Sequence, residues 1–79
     1  MLGEHHDIEH EFPNFQEKIA ALRAADGQFD ALVSEHDDLD NQIRELEERQ
    51  LPISDQEIEK LKFKRTALKD RVYRALRAS

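Results

Sequence analysis

Two runs of side chains recur with alternating steps of three and four residues: Phe29, Leu32, His36, Leu39, Ile43 and Leu46, then Ile58, Leu61, Arg65, Leu68 and Val72. This is the spacing of one helix face sustained over successive heptads, and two helices that share it pack along a common seam. Pro52 stands between the runs. Its ring blocks helix continuation and pushes the preceding residue out of helical space. The pattern therefore predicts an all-α fold, an antiparallel helical hairpin with a coiled-coil-like seam. Pairing about the loop sets Ile43 near Leu61, Leu39 near Arg65, His36 near Leu68 and Leu32 near Val72. His36 and Arg65 form the polar layer of this seam.

Helix signals divide the rest of the chain. Pro13 suits a first turn, where its missing N–H has no intrahelical partner, and Phe15, Ile19 and Leu22 give the following segment an apolar stripe. Asp26–Gly27 predicts a break, because Asp caps helices and Gly in a helix interior costs about 1 kcal/mol against Ala. Phe15, Leu22, Phe29, His36 and Ile43 nevertheless fall seven apart, so one helix from about 14 to 49 is the alternative. Ser54-Asp55-Gln56-Glu57 reads as a capping box. The expected helices are 13–25, 27–49 and 55–77, within a single helical domain of residues 13–79. Residues 1–12 lack helical periodicity and are expected to be a flexible, acidic, His-rich arm.

Charge changes the picture more than composition does. Residues 1–57 carry 16 acidic and 4 basic side chains, a balance of −12, while residues 58–79 carry 2 and 8, a balance of +6. In an antiparallel hairpin the basic arm lies beside the acidic one, so internal pairing is the plain expectation. Arg65 can pack its stem on Leu39 and reach Glu35, Asp38 or Asp40, and on this reading Arg65→Leu leaves stability unchanged. The chain has no cysteine and no apolar run long enough for a membrane span, which fits a soluble cytoplasmic protein not associated with membranes. With 79 residues its core is small, and self-association, with a dimer favoured, would add burial.

Candidate chemistry is sparse. His5, His6, Asp7 and His10 have metal-ligand side chains, but on a flexible arm their ordering cost argues for adventitious contacts, and no metal site is assigned. Glu35, Asp37, Asp38 and Asp40 point in different directions on a helix and read as a solvated face. No nucleophile, phosphate loop or paired acid and base is visible, so neither catalysis nor a cofactor is expected. Phe12, Phe15, Ile19, Leu22, Phe63 and Tyr73 lie off the seam and form a candidate interaction face, to be covered by the first helix, a second protomer or another protein. Lys60, Lys64, Arg71 and Arg74, interleaved with Phe63 and Tyr73, form a candidate basic face. Phosphates would be attracted to it and bases could stack on its aromatics. The leading expectation is a self-associating protein–protein interaction module, and the alternative is an RNA- or nucleotide-binding protein using the third helix.

Glu4-His5-His6-Asp7-Ile8, Glu11-Phe12-Pro13, Phe29, Leu32, Glu35, Leu39-Asp40, Ile43, Pro52, Ser54-Asp55, Leu61-Lys62, Arg65 and Leu68-Lys69-Asp70 together resemble the YdcH-like family of small bacterial proteins, a domain of unknown function. The resemblance implies a cytoplasmic helical hairpin with no established activity, cofactor or substrate, and it carries over no site residue. Thr66 and Arg71 depart from it, standing where family members tend to carry Leu and Glu.

Overall fold

Asp26 settles whether the first half of the chain is one helix or two. Its backbone is extended, with φ −130° and ψ 106°, and its carboxylate accepts the amide hydrogens of Gln28 and Phe29. That is an N-cap, which satisfies two donors that have no intrahelical acceptor. Asp26→Ala should lower stability by about 1 kcal/mol, read as a lower denaturant midpoint with an unchanged slope.

The computed structural model describes residues 7–49 and 52–78, and these are helical without strands. Helix α1 is the single turn Ile8–Glu11, followed by a 3-10 turn at Pro13–Phe15. Then come α2, Gln16–Ala25, α3, Gly27–Glu48, and α4, Asp55–Ala78. At the start of α4 the Ser54 hydroxyl accepts the amide hydrogen of Glu57 at 3.1 Å, as the capping-box reading requires. The long helices α3 and α4 pack along each other, and α1 and α2 lie against one side of that hairpin.

The core falls into two parts. Nearer the chain ends, Ile8, Ile19, Phe29, Val33, Val72 and Leu76 are buried together, with Phe12, Phe15 and Leu22 packed against them. Nearer the interhelix loop, Leu39, Ile43 and Leu68 form a smaller cluster flanked by Leu32 and Leu61. Elements α1 and α2 therefore roof one end of the hairpin, and the other end closes on itself.

Three expectations change. The segment expected to be a flexible arm through residue 12 turns helical at Ile8, whose side chain is fully buried. The reason lies outside the segment: Asp37 on α3 accepts the Ile8 amide hydrogen at 3.0 Å, so the cap that orders α1 is 29 residues away in sequence. The first long helix begins at Gln16, because residues 13–15 form a tighter turn. The seam also has a different polar layer. Arg65 meets Asp40 at 2.8 Å, and Asp40 is 0% exposed, whereas His36 bonds its neighbour Asp37 through Nδ1 at 3.0 Å. His36 and Arg65 thus belong to separate layers.

Candidate functional site

The basic arm is partly consumed by the fold. Lys62 pairs with Glu47 at 3.3 Å, Arg65 with Asp40, and Lys69 with Glu11 at 3.2 Å, each joining α4 to an acidic segment. Arg77 lies over the Tyr73 ring, 5.7 Å from its centroid. Lys60, Lys64, Arg71 and Arg74 remain exposed and make no ion pair among the described residues. Their steps of four, seven and three residues line them along one flank of α4. Phe63 stands beside that flank and is 78% exposed. Glu59 and Asp70 border the same surface, so its positive field is interrupted.

The candidate interaction face divides differently from its expectation. Ile19 is fully buried, and Phe12, Phe15 and Leu22 pack on the core. Phe12 stacks on Tyr73, with centroids 5.5 Å apart and planes 12° apart, and meets Phe15 edge-on at 6.3 Å. The Lys69 ammonium adds a contact 5.8 Å above the Phe12 ring. Four of the six residues are therefore internal packing. Phe63 is left as the open apolar side chain, with Tyr73 38% exposed at the edge of its stack.

On the side of the hairpin away from α1 and α2, a groove of about 550 Å³ separates Leu32 and Glu35 on α3 from Arg71 and Ala75 on α4. Its banks carry opposite charges at Glu35 and Arg71. Sequence reasoning missed this groove because it assigned Leu32 wholly to the α3–α4 seam, whereas in the structure Leu32 is half-buried and lines the groove with Phe29, Glu35, Arg71 and Ala75. Asp40 was also missed as a core residue, since a carboxylate in a buried stripe is recognisable only when its cation is placed beside it.

His36 is 1% exposed; its Nδ1 lies 3.0 Å from the Asp37 carboxylate, and its Nε2 has no hydrogen-bond partner among the described residues. Asp7 and His10 pair with each other at 2.5 Å on the exposed side of α1, while His5 and His6 lie outside the described residues. No group of three metal-ligating side chains occurs among the described residues. No helix among them is long and apolar enough to cross a membrane.

No curated protein and no solved structure matches the chain. The stretch from Phe29 on α3 to Leu76 on α4, residues 29–76, matches the family model described as protein of unknown function (DUF465), and the chain belongs to that family.

Proposed function

We propose that this protein is a non-enzymatic interaction module, a helical hairpin braced on one side by its N-terminal segment and offering the other side to a protein partner. The one-sided brace carries this reading: α1 and α2 cover the hairpin on one face, and the opposite groove keeps Leu32 half-buried between the charged banks of Glu35 and Arg71. A groove with a half-buried leucine between opposite charges is what a docking amphipathic helix fits. The resemblance to the YdcH-like family, which has no established enzymatic activity, supports the same reading, as does a cytoplasmic setting for a chain of this composition.

Capture from native cells with the full chain as bait tests it. A protein retained by the wild type, lost on Leu32→Gln and indifferent to ribonuclease is the expected outcome. Equal retention by wild type and Leu32→Gln would remove the groove as the binding surface.

The unpaired flank of Lys60, Lys64, Arg71 and Arg74 with Phe63 favours a second reading, binding of single-stranded RNA by phosphate contact and stacking. The formal charge of −6 and the acidic neighbours weigh against it. On that reading Lys64→Glu with Arg71→Glu abolishes the anisotropy change of a labelled single-stranded RNA at low salt. Unchanged affinity in the double variant rejects it.

A further inference from the structure

On the side that α1 and α2 leave open, the hairpin seam is only partly covered. On α3, half-buried Leu32 and Leu46 alternate with exposed Glu35 and Gln42; on α4, half-buried Leu61 and Ala75 alternate with exposed Lys64 and Arg71, while Leu39 and Leu68 between them are buried in the hairpin. Glu35, Gln42, Lys64 and Arg71 are exposed, and neither Glu35, Lys64 nor Arg71 forms an ion pair among the described residues. Both banks thus present apolar positions interrupted by charged or polar ones, with acid on α3 and base on α4.

We propose that this side docks a second copy of the chain, two hairpins forming a four-helix bundle about a twofold axis parallel to the helices. The inference rests on the interaction-module reading and names its partner. About such an axis α3 of one copy lies beside α4 of the other, and every neighbouring pair of helices is antiparallel. The axis also preserves height along the bundle. Height is fixed within one hairpin by Lys62 facing Glu47 and Arg65 facing Asp40, and by the same stagger Glu35 is level with Arg71 and Gln42 with Lys64. Docking therefore sets Glu35 of each copy against Arg71 of its mate, twice per dimer, and the half-buried Leu32, Leu46 and Leu61 of the two open sides against each other.

The alternatives are disfavoured by the same charges. Like helices brought together would oppose Glu35 to Glu35 or Arg71 to Arg71. A polyanion or a basic peptide would suit one bank and be repelled by the other. A second copy already carries the reversed pattern at the matching height.

Sedimentation of the full chain tests the proposal with Glu35→Arg, Arg71→Glu and an equimolar mixture of the two. The wild type is expected at twice the 9.3 kDa chain mass at tens of micromolar. Each variant alone should dimerise roughly tenfold more weakly or worse, because like charges now meet at both contacts. Mixing should restore the dimer, since each copy then offers the other a matched pair. A contact within one chain cannot be rescued by mixing. Both positions are exposed, and circular dichroism checks that helicity is retained; Gln42→Arg with Lys64→Glu gives a second pair for the same mixing experiment. A wild type that stays at 9.3 kDa up to hundreds of micromolar overturns the second copy, and Leu32-dependent capture of a different protein would then keep the module reading alone. A wild-type dimer unaffected by either variant, or one lost and not rescued by mixing, overturns this docking geometry.

Discussion

Exchanging Arg65 for leucine should lower the unfolding free energy by about 3 kcal/mol, the scale of removing one partner from a buried ion pair. The pattern of the seam alone implied no loss, on the view that Arg65 packs its stem on Leu39 and reaches past the seam to Glu35, Asp38 or Asp40. The structure reverses that expectation. The Arg65 guanidinium lies 2.8 Å from Asp40, whose side chain is only 1% exposed, and the leucine variant leaves that carboxylate in the core without its guanidinium. Replacing both, Asp40→Leu with Arg65→Leu, should recover to within about 1 kcal/mol of the wild type, because a packed apolar pair carries no desolvation cost. Urea midpoints at a common slope give the comparison. Equal losses in the single and double variants would mean that the pair is not what the leucine disturbs.

Truncating Ile43 is the second large effect. Ile43 is fully buried in the smaller cluster with Leu39 and Leu68, where α1 and α2 supply no atoms to collapse into a void. Ile43→Ala should therefore cost about 3 kcal/mol of global stability. Ile8 is equally buried yet should behave differently. Its site is shared between a one-turn helix and the hairpin, so its loss is limited by the free energy of lifting that turn away. Ile8→Ala should accelerate hydrogen exchange in residues 8–25 while the amides of α3 and α4 near Ile43 stay protected. Global destabilisation of the same size at both positions would show that the N-terminal segment and the hairpin unfold as one.

The helices were legible where a local signal and a periodic one agreed. Asp26 before Gly27, Pro52 and the Ser54 cap marked ends, and the heptads marked the faces between them. Packing partners were less legible, for reasons visible at particular residues. Ile8 belongs to a stretch too short to show a helical period, and its cap comes from Asp37 on another helix. Phe12 and Tyr73 are legible as members of one off-seam candidate face, but not as partners of each other, because their stack joins residues that only the fold brings together. The candidate basic face was legible in outline, yet which cations are spent internally depends on the stagger of the hairpin. Lys62 finds Glu47 at that stagger and Lys69 finds Glu11 on the docked α1, whereas Lys60 and Lys64 find no carboxylate among the described residues.

That stagger is itself constrained by the buried pair. A slide of one helix past the other by seven residues is the slip a heptad pattern resists least, since it lays seam positions on seam positions. Sliding α4 by one heptad would bring Ile58 or Val72 to the level of Asp40 in place of Arg65. A carboxylate would then be sealed against an aliphatic side chain, at a cost of several kcal/mol. The buried Asp40–Arg65 layer therefore works as an index mark, favouring the one vertical alignment that keeps a cation beside Asp40. The doubly leucine-substituted chain, stable but without this mark, should populate shifted alignments, visible as more than one amide resonance for residues along α3.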